Sequence, residues 1–274
     1  MAFIAPFDDK YTIAGQGTIA CEIFDDALSH NITMDYLFAA VGGGGLISGL
    51  AAYSKNISPK TKIVGVEPTG AASMTAALKL GHPVTLENID KFVDGAAVKR
   101  VGKLTYSNTK KYVDQMVSVA EGHVCTTLLE LYSKEAIVAE PAGALSVAAL
   151  DDQHIDIAGK TIVCVISGGN NDIGRMQEIK ERSLIYEGYQ RYFIVNFPQR
   201  PGALREFVNK ILNKDDDISK FEYTKKVNRG KGPVLIGIHL GKRKNIGLLQ
   251  ERLRKFDPYY IDLKDNQTLY EMMI

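Results

Sequence analysis

Four consecutive glycines, Gly42, Gly43, Gly44 and Gly45, stand between an apolar run over residues 35–41 that reads as a strand and an amphipathic run over residues 46–55 that reads as a helix. Glycine has no Cβ, so a strand-to-helix turn built from it lets consecutive backbone N–H groups meet a ligand with no side chain between them. The helix that follows directs its positive end to the same place. Such an end stabilises an anion by about 0.3 to 1 kcal/mol when exposed and up to about 2 kcal/mol when partly buried. A tight packing turn accounts for one or two glycines, whereas four together point to a bound phosphate.

Which phosphate compound is not fixed by the turn alone. A dinucleotide is a first candidate, because Glu67 ends the next strand 22 residues after Gly45, near where a ribose-binding acid belongs. The glycines fit that pattern poorly: pairing Gly43 with Gly45 in a GxGxxG leaves Ser48 third, and pairing Gly42 with Gly44 leaves Ile47. A nucleotide-triphosphate loop fails because no Lys followed by Ser or Thr closes the turn. Glu67 then reads as a strand-end residue pointing toward the crevice.

Up to about Asp172, Val- and Ile-rich strands at 35–41, 62–68, 116–119 and 160–167 alternate with helical stretches at 16–28, 46–55, 70–81, 110–115, 123–136 and 142–150. That alternation predicts an α/β domain with a parallel sheet covered by helices. The strand over 160–167 ends in a second polar glycine-rich turn, so two such turns emerge at one carboxyl edge and define a crevice for a small ligand. Ser167 stands there either as a hydrogen-bonding group or as a helix N-cap. Gly15–Thr18 reads as a glycine pair opening a helix and outside the site. Pro141 opens a helix from its first position, and Glu140 before it approaches the site.

A charged segment over residues 174–191 separates this region from a tail of different pattern. The tail reads as strand 192–197, helix 201–212, strand 217–226, strand 233–240, helix 245–256 and strand 259–263. The order βαββαβ predicts a smaller α+β ferredoxin-like domain. We therefore expect a large domain over 1–180, a linker over 181–190 and the tail domain over 191–274. The adjacent Asp215, Asp216 and Asp217 read as a solvated turn.

Lysine and arginine number 33 against 32 aspartates and glutamates, so no global field recruits nucleic acid or an anionic membrane. No stretch approaches the about 18 to 20 apolar residues of a spanning helix. Three scattered cysteines, Cys21, Cys125 and Cys164, argue for a reducing compartment, with the cytoplasm as the expected location. The five histidines, His30, His82, His123, His154 and His239, have no metal-ligand spacing, and no metal is expected.

Six segments, beginning at Pro6, Ala39, Ile63, Phe92, Glu140 and Cys164, resemble in order the large-domain motifs of the threonine dehydratase (threonine deaminase) family: PFDDKYTIAGQGTIACEI, AAVGGGGLISG, IVGVEPTGAASM, FVDGAAVKRVG, EPAGALSVAAL and CVISGGNND. FPQRPGALREF followed by ISKFEY resembles the single ACT-like regulatory domain of the shorter biosynthetic members. The resemblance covers essentially the whole chain and implies a fold type II pyridoxal phosphate enzyme. It implies that the backbone amides of Gly42, Gly43, Gly44, Gly45 and Leu46 hold the cofactor phosphate, that Ser167 faces the pyridine nitrogen and that Gly95 lines the ring edge. A hydroxyl opposite that nitrogen leaves the ring a modest electron sink. The implied reaction is β-elimination of water from L-threonine to 2-oxobutanoate and ammonia in isoleucine biosynthesis.

The family's Schiff-base lysine lies in a segment like Ser-x-Lys-x-Arg-Gly-Ala, which this sequence lacks, and the sequence reads as the carboxy-terminal part of such an enzyme. No catalytic residue is therefore assigned, Lys99 reads as a rim residue, and the chain alone is expected to be inactive. In the tail the resemblance implies isoleucine as inhibitor and valine as activator, with Gly202, Leu204 and Tyr223 in the effector pocket. A homo-oligomer is expected. The rival readings are a non-catalytic amino-acid-binding remnant and a nucleotide-binding Rossmann enzyme.

Overall fold

The computed structural model describes residues 4–151, 155–224 and 230–274. His154, and Lys225 and Lys226 at the end of the expected strand 217–226, lie outside the described residues. The chain divides into two units, Met1–Lys180 and Glu181–Ile274.

In the first unit the elements run α1 (Lys10–Ser29), β1 (Tyr36–Ala40), α2 (Gly45–Ile57), β2 (Lys62–Pro68), α3 (Ser73–Leu80), α4 (Lys103–Tyr112), β3 (Gln115–Val119), α5 (Glu121–Glu135), α6 (Pro141–Ala148) and β4 (Ile162–Cys164). The strands form one sheet in the order β3-β2-β1-β4, and every pairing is parallel. Alternate residues of β1 serve opposite faces, as the period of two requires. Phe38 and Ala40 pack with Val64, Val66 and residues of α5 and α6, while Leu37, Ala39 and Val41 pack with Ile63 and residues of α1 to α3. Burial on both faces explains the near-continuous apolar strands.

The chain leaves β1 toward β2 on one side, and β4 later fills the other side of β1. That reversal places the carboxyl ends of β1 and β4 side by side, which is where an open α/β sheet opens a crevice.

Two helices begin earlier than the apolar pattern predicts. The Asp9 carboxylate accepts from the amides of Tyr11 (2.8 Å) and Thr12 (3.1 Å), so α1 starts at Lys10. The neighbouring Asp8 accepts from the amides of Lys103 (3.0 Å), Leu104 (2.8 Å) and Thr105 (3.3 Å), so α4 starts at Lys103 and not near Lys110. Both are N-terminal caps of otherwise unpaired amides. Gly15–Thr18 lies inside α1 and does not open it. Gly17 and Gly49 let α1 and α2 touch backbone to backbone: a Cβ at Gly49 would stand 2.3 Å from the Ile13 oxygen.

The charged segment over 174–191 contains a helix, α7 (Met176–Tyr186), and not only a separator. Its apolar residues are interspersed with charged ones, and Ile179 is fully buried in the core of the first unit. The expected linker over 181–190 thus begins as helix.

In the second unit the order is β5 (Gln190–Pro198), α8 (Ala203–Ile211), β6 (Asp217–Tyr223), β7 (Lys231–His239), α9 (Ile246–Phe256), β8 (Ile261–Asp262) and α10 (Gln267–Met273). The sheet is antiparallel in the order β6-β7-β5-β8, the strand order of a ferredoxin-like sandwich. One face buries Phe193, Val195, Phe197, Val234, Ile236 and Ile238 under α8 and α9. The loop run Asp215–Asp217 ends in β6, and Asp216 ties the turn by accepting from the amides of Asn213 (2.9 Å) and Gly241 (3.1 Å).

The Gly17–Gly49 contact yields a first prediction. Gly49→Ala forces α1 from α2 and lowers unfolding free energy by about 1 to 3 kcal/mol, the usual cost of overpacking. Urea denaturation checks it: the midpoint falls with an unchanged slope.

Candidate functional site

The glycine turn follows β1 directly and turns into α2. Gly44 caps the helix in the left-handed region (φ 89°), and Gly45 is its first residue. A side chain at any of the four positions would collide with something. At Gly42 a Cβ meets Ala96 Cα at 2.9 Å, at Gly43 and Gly45 it meets Phe7, and at Gly44 it meets Met74 Cε at 2.6 Å. Each glycine therefore has its own steric reason, which a generic turn would not supply.

The amides of this turn are left over. Among the described residues, no backbone or side-chain acceptor takes a hydrogen bond from the N–H of Gly42, Gly43, Gly44, Gly45, Leu46 or Ile47; Ser48 is the first to pair, onto the Gly44 oxygen at 3.1 Å. In front of them lies a cup of about 290 Å³. Gly42, Gly43, Gly44, Gly45 and Leu46 form its floor, and Phe7, Gln16, Gly95, Val98, Glu140, Ala142 and Ser167 are among its walls. Unpaired amides at a helix start around a concavity make an anion seat.

The walls come from distant parts of the chain. Gly95 sits in a 3₁₀ turn, Asp94–Ala96, and a Cβ there would press on Ala142 at 2.9 Å. That turn is anchored by Arg175, whose guanidinium donates to the Phe92 oxygen at 2.8 Å and pairs with Asp94 at 3.7 Å. Ser167 is exposed beyond β4 and lines the cup; the cap of the next 3₁₀ turn is Asp172, which removes the helix-cap reading of Ser167. All seven residues expected to hold the cofactor thus border one cavity.

Two expectations need correction, and one residue of the site was not foreseen. Gln16, in the GQGT segment expected outside the site, lines the cup, because the glycine contact of α1 with α2 brings that helix face beside the turn. Glu67 does not point into the crevice. It is fully buried and accepts from the amides of Met74 (2.6 Å) and Thr75 (2.9 Å) and from Thr75 Oγ1 (2.6 Å), so it caps α3. Phe7 was missed: its ring covers Gly43 and its Cβ and backbone lie against Gly45, and only a contact between distant segments reveals it.

Glu140 borders the cup as expected, with its carboxylate against Gly168 and Gly95. Among the described residues no lysine lines the cup; Lys99 is exposed, and its Nζ donates to the Glu87 oxygen at 2.8 Å. Cys164 is no nucleophile, since burial pushes its thiol up to about 12.

Residues 1–168 match the family described as pyridoxal-phosphate dependent enzyme. The chain belongs to the pyridoxal-phosphate dependent enzymes. Residues 181–273 match the C-terminal regulatory domain of threonine dehydratase. The whole chain is 58% identical over 275 residues to the biosynthetic L-threonine dehydratase IlvA of Staphylococcus aureus strain NCTC 8325, and 57% identical to that of Staphylococcus saprophyticus. The chain spans 65% of the length of each of these curated relatives.

Among solved structures, processed threonine deaminase isoform 2 from Solanum lycopersicum is 38% identical with a TM-score of 0.61, covering 67% of this chain and 53% of that one. Maize serine racemase is 30% identical with a TM-score of 0.58, covering 67% of this chain and 56% of that one. Pyridoxal phosphate is the cofactor this family implies. The orphaned amides and the glycine cradle fit its phosphate.

In the second unit, Gly202 is the N-cap of α8 in the left-handed region (φ 80°), and Leu204 is exposed on the first turn of that helix. Tyr223 is exposed at the end of β6, with its ring 6.4 Å from Phe197. Phe197 also meets Phe207 of α8 at 5.3 Å, so α8 and Tyr223 border the same aromatic cluster.

Glu67 supplies a pH prediction. Burial pushes its carboxyl above the usual carboxylate range, against the pull of its hydrogen-bond donors. A folded-state value raised in this way gives stability that is complete below the unfolded value, about 4.3, and is lost as pH rises through the folded one. Glu67→Gln should flatten that loss. Chemical denaturation of both proteins between about pH 4 and 7 tests it, and equal slopes would contradict the assignment.

Proposed function

We propose that this chain carries the phosphate seat and the regulatory unit of a threonine dehydratase, with residues 1–180 binding pyridoxal phosphate and residues 191–274 binding branched-chain amino acids. The reaction is the elimination of water from L-threonine to 2-oxobutanoate and ammonia, within isoleucine biosynthesis in the cytoplasm. The observation that carries the reading is the row of unpaired amides from Gly42 to Leu46, residues that line the cup.

Gly42, Gly43, Gly44, Gly45 and Leu46 hold the cofactor phosphate by their N–H groups, aided by the positive end of α2. Ser167 meets the pyridine nitrogen with a hydroxyl, and Gly95 admits the ring edge. When bound, the cofactor supplies the electron sink that stabilises negative charge at the substrate α-carbon. Phe7 excludes water from one side of the turn, with its ring over Gly43 and its Cβ and backbone against Gly45.

The α-proton has no base among the cup's lining residues of the lysine type the family uses. By itself the chain therefore binds the cofactor without appreciable turnover. In the tail, Gly202 and Leu204 present a backbone and an apolar contact to an isoleucine or valine side chain, and Tyr223 supplies a polar edge. The chain works as a homo-oligomer.

Two measurements test this. Equilibrium dialysis should show saturable pyridoxal phosphate binding that drops at least about tenfold in Gly44→Ala, where a β-carbon is both strained and crowded. A coupled assay for 2-oxobutanoate with added cofactor should stay at background. Robust turnover that disappears in Lys99→Ala would overturn the inactive reading, and wild-type protein that retains no cofactor would overturn the seat.

A further inference from the structure

A row of amides seats an anion only if each peptide is turned the right way, and glycine by itself imposes no orientation. One peptide of the turn is held from outside the cup. Thr105, fully buried on α4, donates its hydroxyl to the Gly43 oxygen at 2.7 Å. The peptide between Gly43 and Gly44 is trans, so its C=O and N–H point in opposite directions. Fixing the oxygen on Thr105 therefore turns the Gly44 N–H away from α4, none of whose residues line the cup.

Thr105 is itself held in two ways. Its backbone oxygen accepts from Ser48 Oγ at 3.2 Å, which ties it to the first turn of α2, and its amide is one of three that the Asp8 carboxylate caps. Asp8 reaches these amides because Gly102 precedes α4 without a side chain: a Cβ there would stand 2.2 Å from the Asp8 carboxyl carbon. The residue before it, Phe7, closes over Gly43 and Gly45. We infer that Thr105 is a positioning residue for phosphate binding, setting the Gly43–Gly44 peptide from behind, and that Asp8 acts through it by fixing the start of α4. This rests on the phosphate seat proposed above.

The test compares the full chain with Thr105→Val, Thr105→Ser and Asp8→Asn by equilibrium dialysis against pyridoxal phosphate and against pyridoxal, which lacks the phosphate. Losing one hydrogen bond to a buried carbonyl should weaken pyridoxal phosphate binding about tenfold in Thr105→Val. Pyridoxal binding should not change, and Thr105→Ser should bind as wild type. A purely structural role would lower the melting temperature and weaken both compounds alike. Asp8→Asn should weaken the phosphate compound in the same direction, and combining it with Thr105→Val should add less than the sum of the two.

Wild-type affinity in Thr105→Val, or an equal loss for both compounds, overturns the positioning role while leaving the seat intact. Wild-type protein that binds the two compounds equally removes the seat and the positioning role together.

Discussion

The central constraint in this protein is a set of backbone donors that the fold leaves without acceptors. Between β1 and the first full turn of α2, the N–H groups from Gly42 to Ile47 have no partner among the described residues. An N–H removed from water and left unpaired costs about 1 to 3 kcal/mol. Such a cost persists where it is useful, and here the residues from Gly42 to Leu46 line one cup at the edge of a parallel sheet. An anion in that cup satisfies several at once. A separate steric limit at each glycine keeps the floor bare: Ala96 at Gly42, Phe7 at Gly43 and Gly45, and Met74 and Thr105 at Gly44.

Much of the surrounding structure serves to hold that floor still. Asp8 and Asp9 are adjacent in sequence yet start two different helices, so a single short segment locks α1 and α4 beside the turn. The Gly17–Gly49 contact sets α1 against α2 and brings Gln16 to the cup. Arg175, from beyond β4, anchors the loop that carries Gly95. The sheet core fixes strand ends, and these polar clasps fix the loops those ends carry. The second unit is built on separate terms, with an antiparallel sheet and an aromatic cluster around Phe197.

The parallel sheet, the βαββαβ tail, the glycine turn and the partner turn at Ser167 were legible in the residues because each rests on local pattern. Strand and helix periods show in neighbouring residues, and glycine runs declare their own freedom. The helix Met176–Tyr186 was hidden because Glu178, Lys180, Glu181 and Arg182 interrupt its apolar positions, of which Ile179 is fully buried. The start of α4 was hidden because its cap, Asp8, lies 95 residues away in the chain. Glu67 misled for the same kind of reason: its position suggested the crevice, and its carboxylate turned to the unpaired amides of α3.

Sequence by itself determined the class of fold and the place of the turn and pointed to an anionic ligand, since a strand, four glycines and a helix permit few uses. Tertiary structure alone decided which amides stayed unpaired, which residues wall the cup and what holds the Gly43 carbonyl. Those outcomes depend on contacts between segments many tens of residues apart, and a donor's fate is known only when every acceptor within reach has been placed.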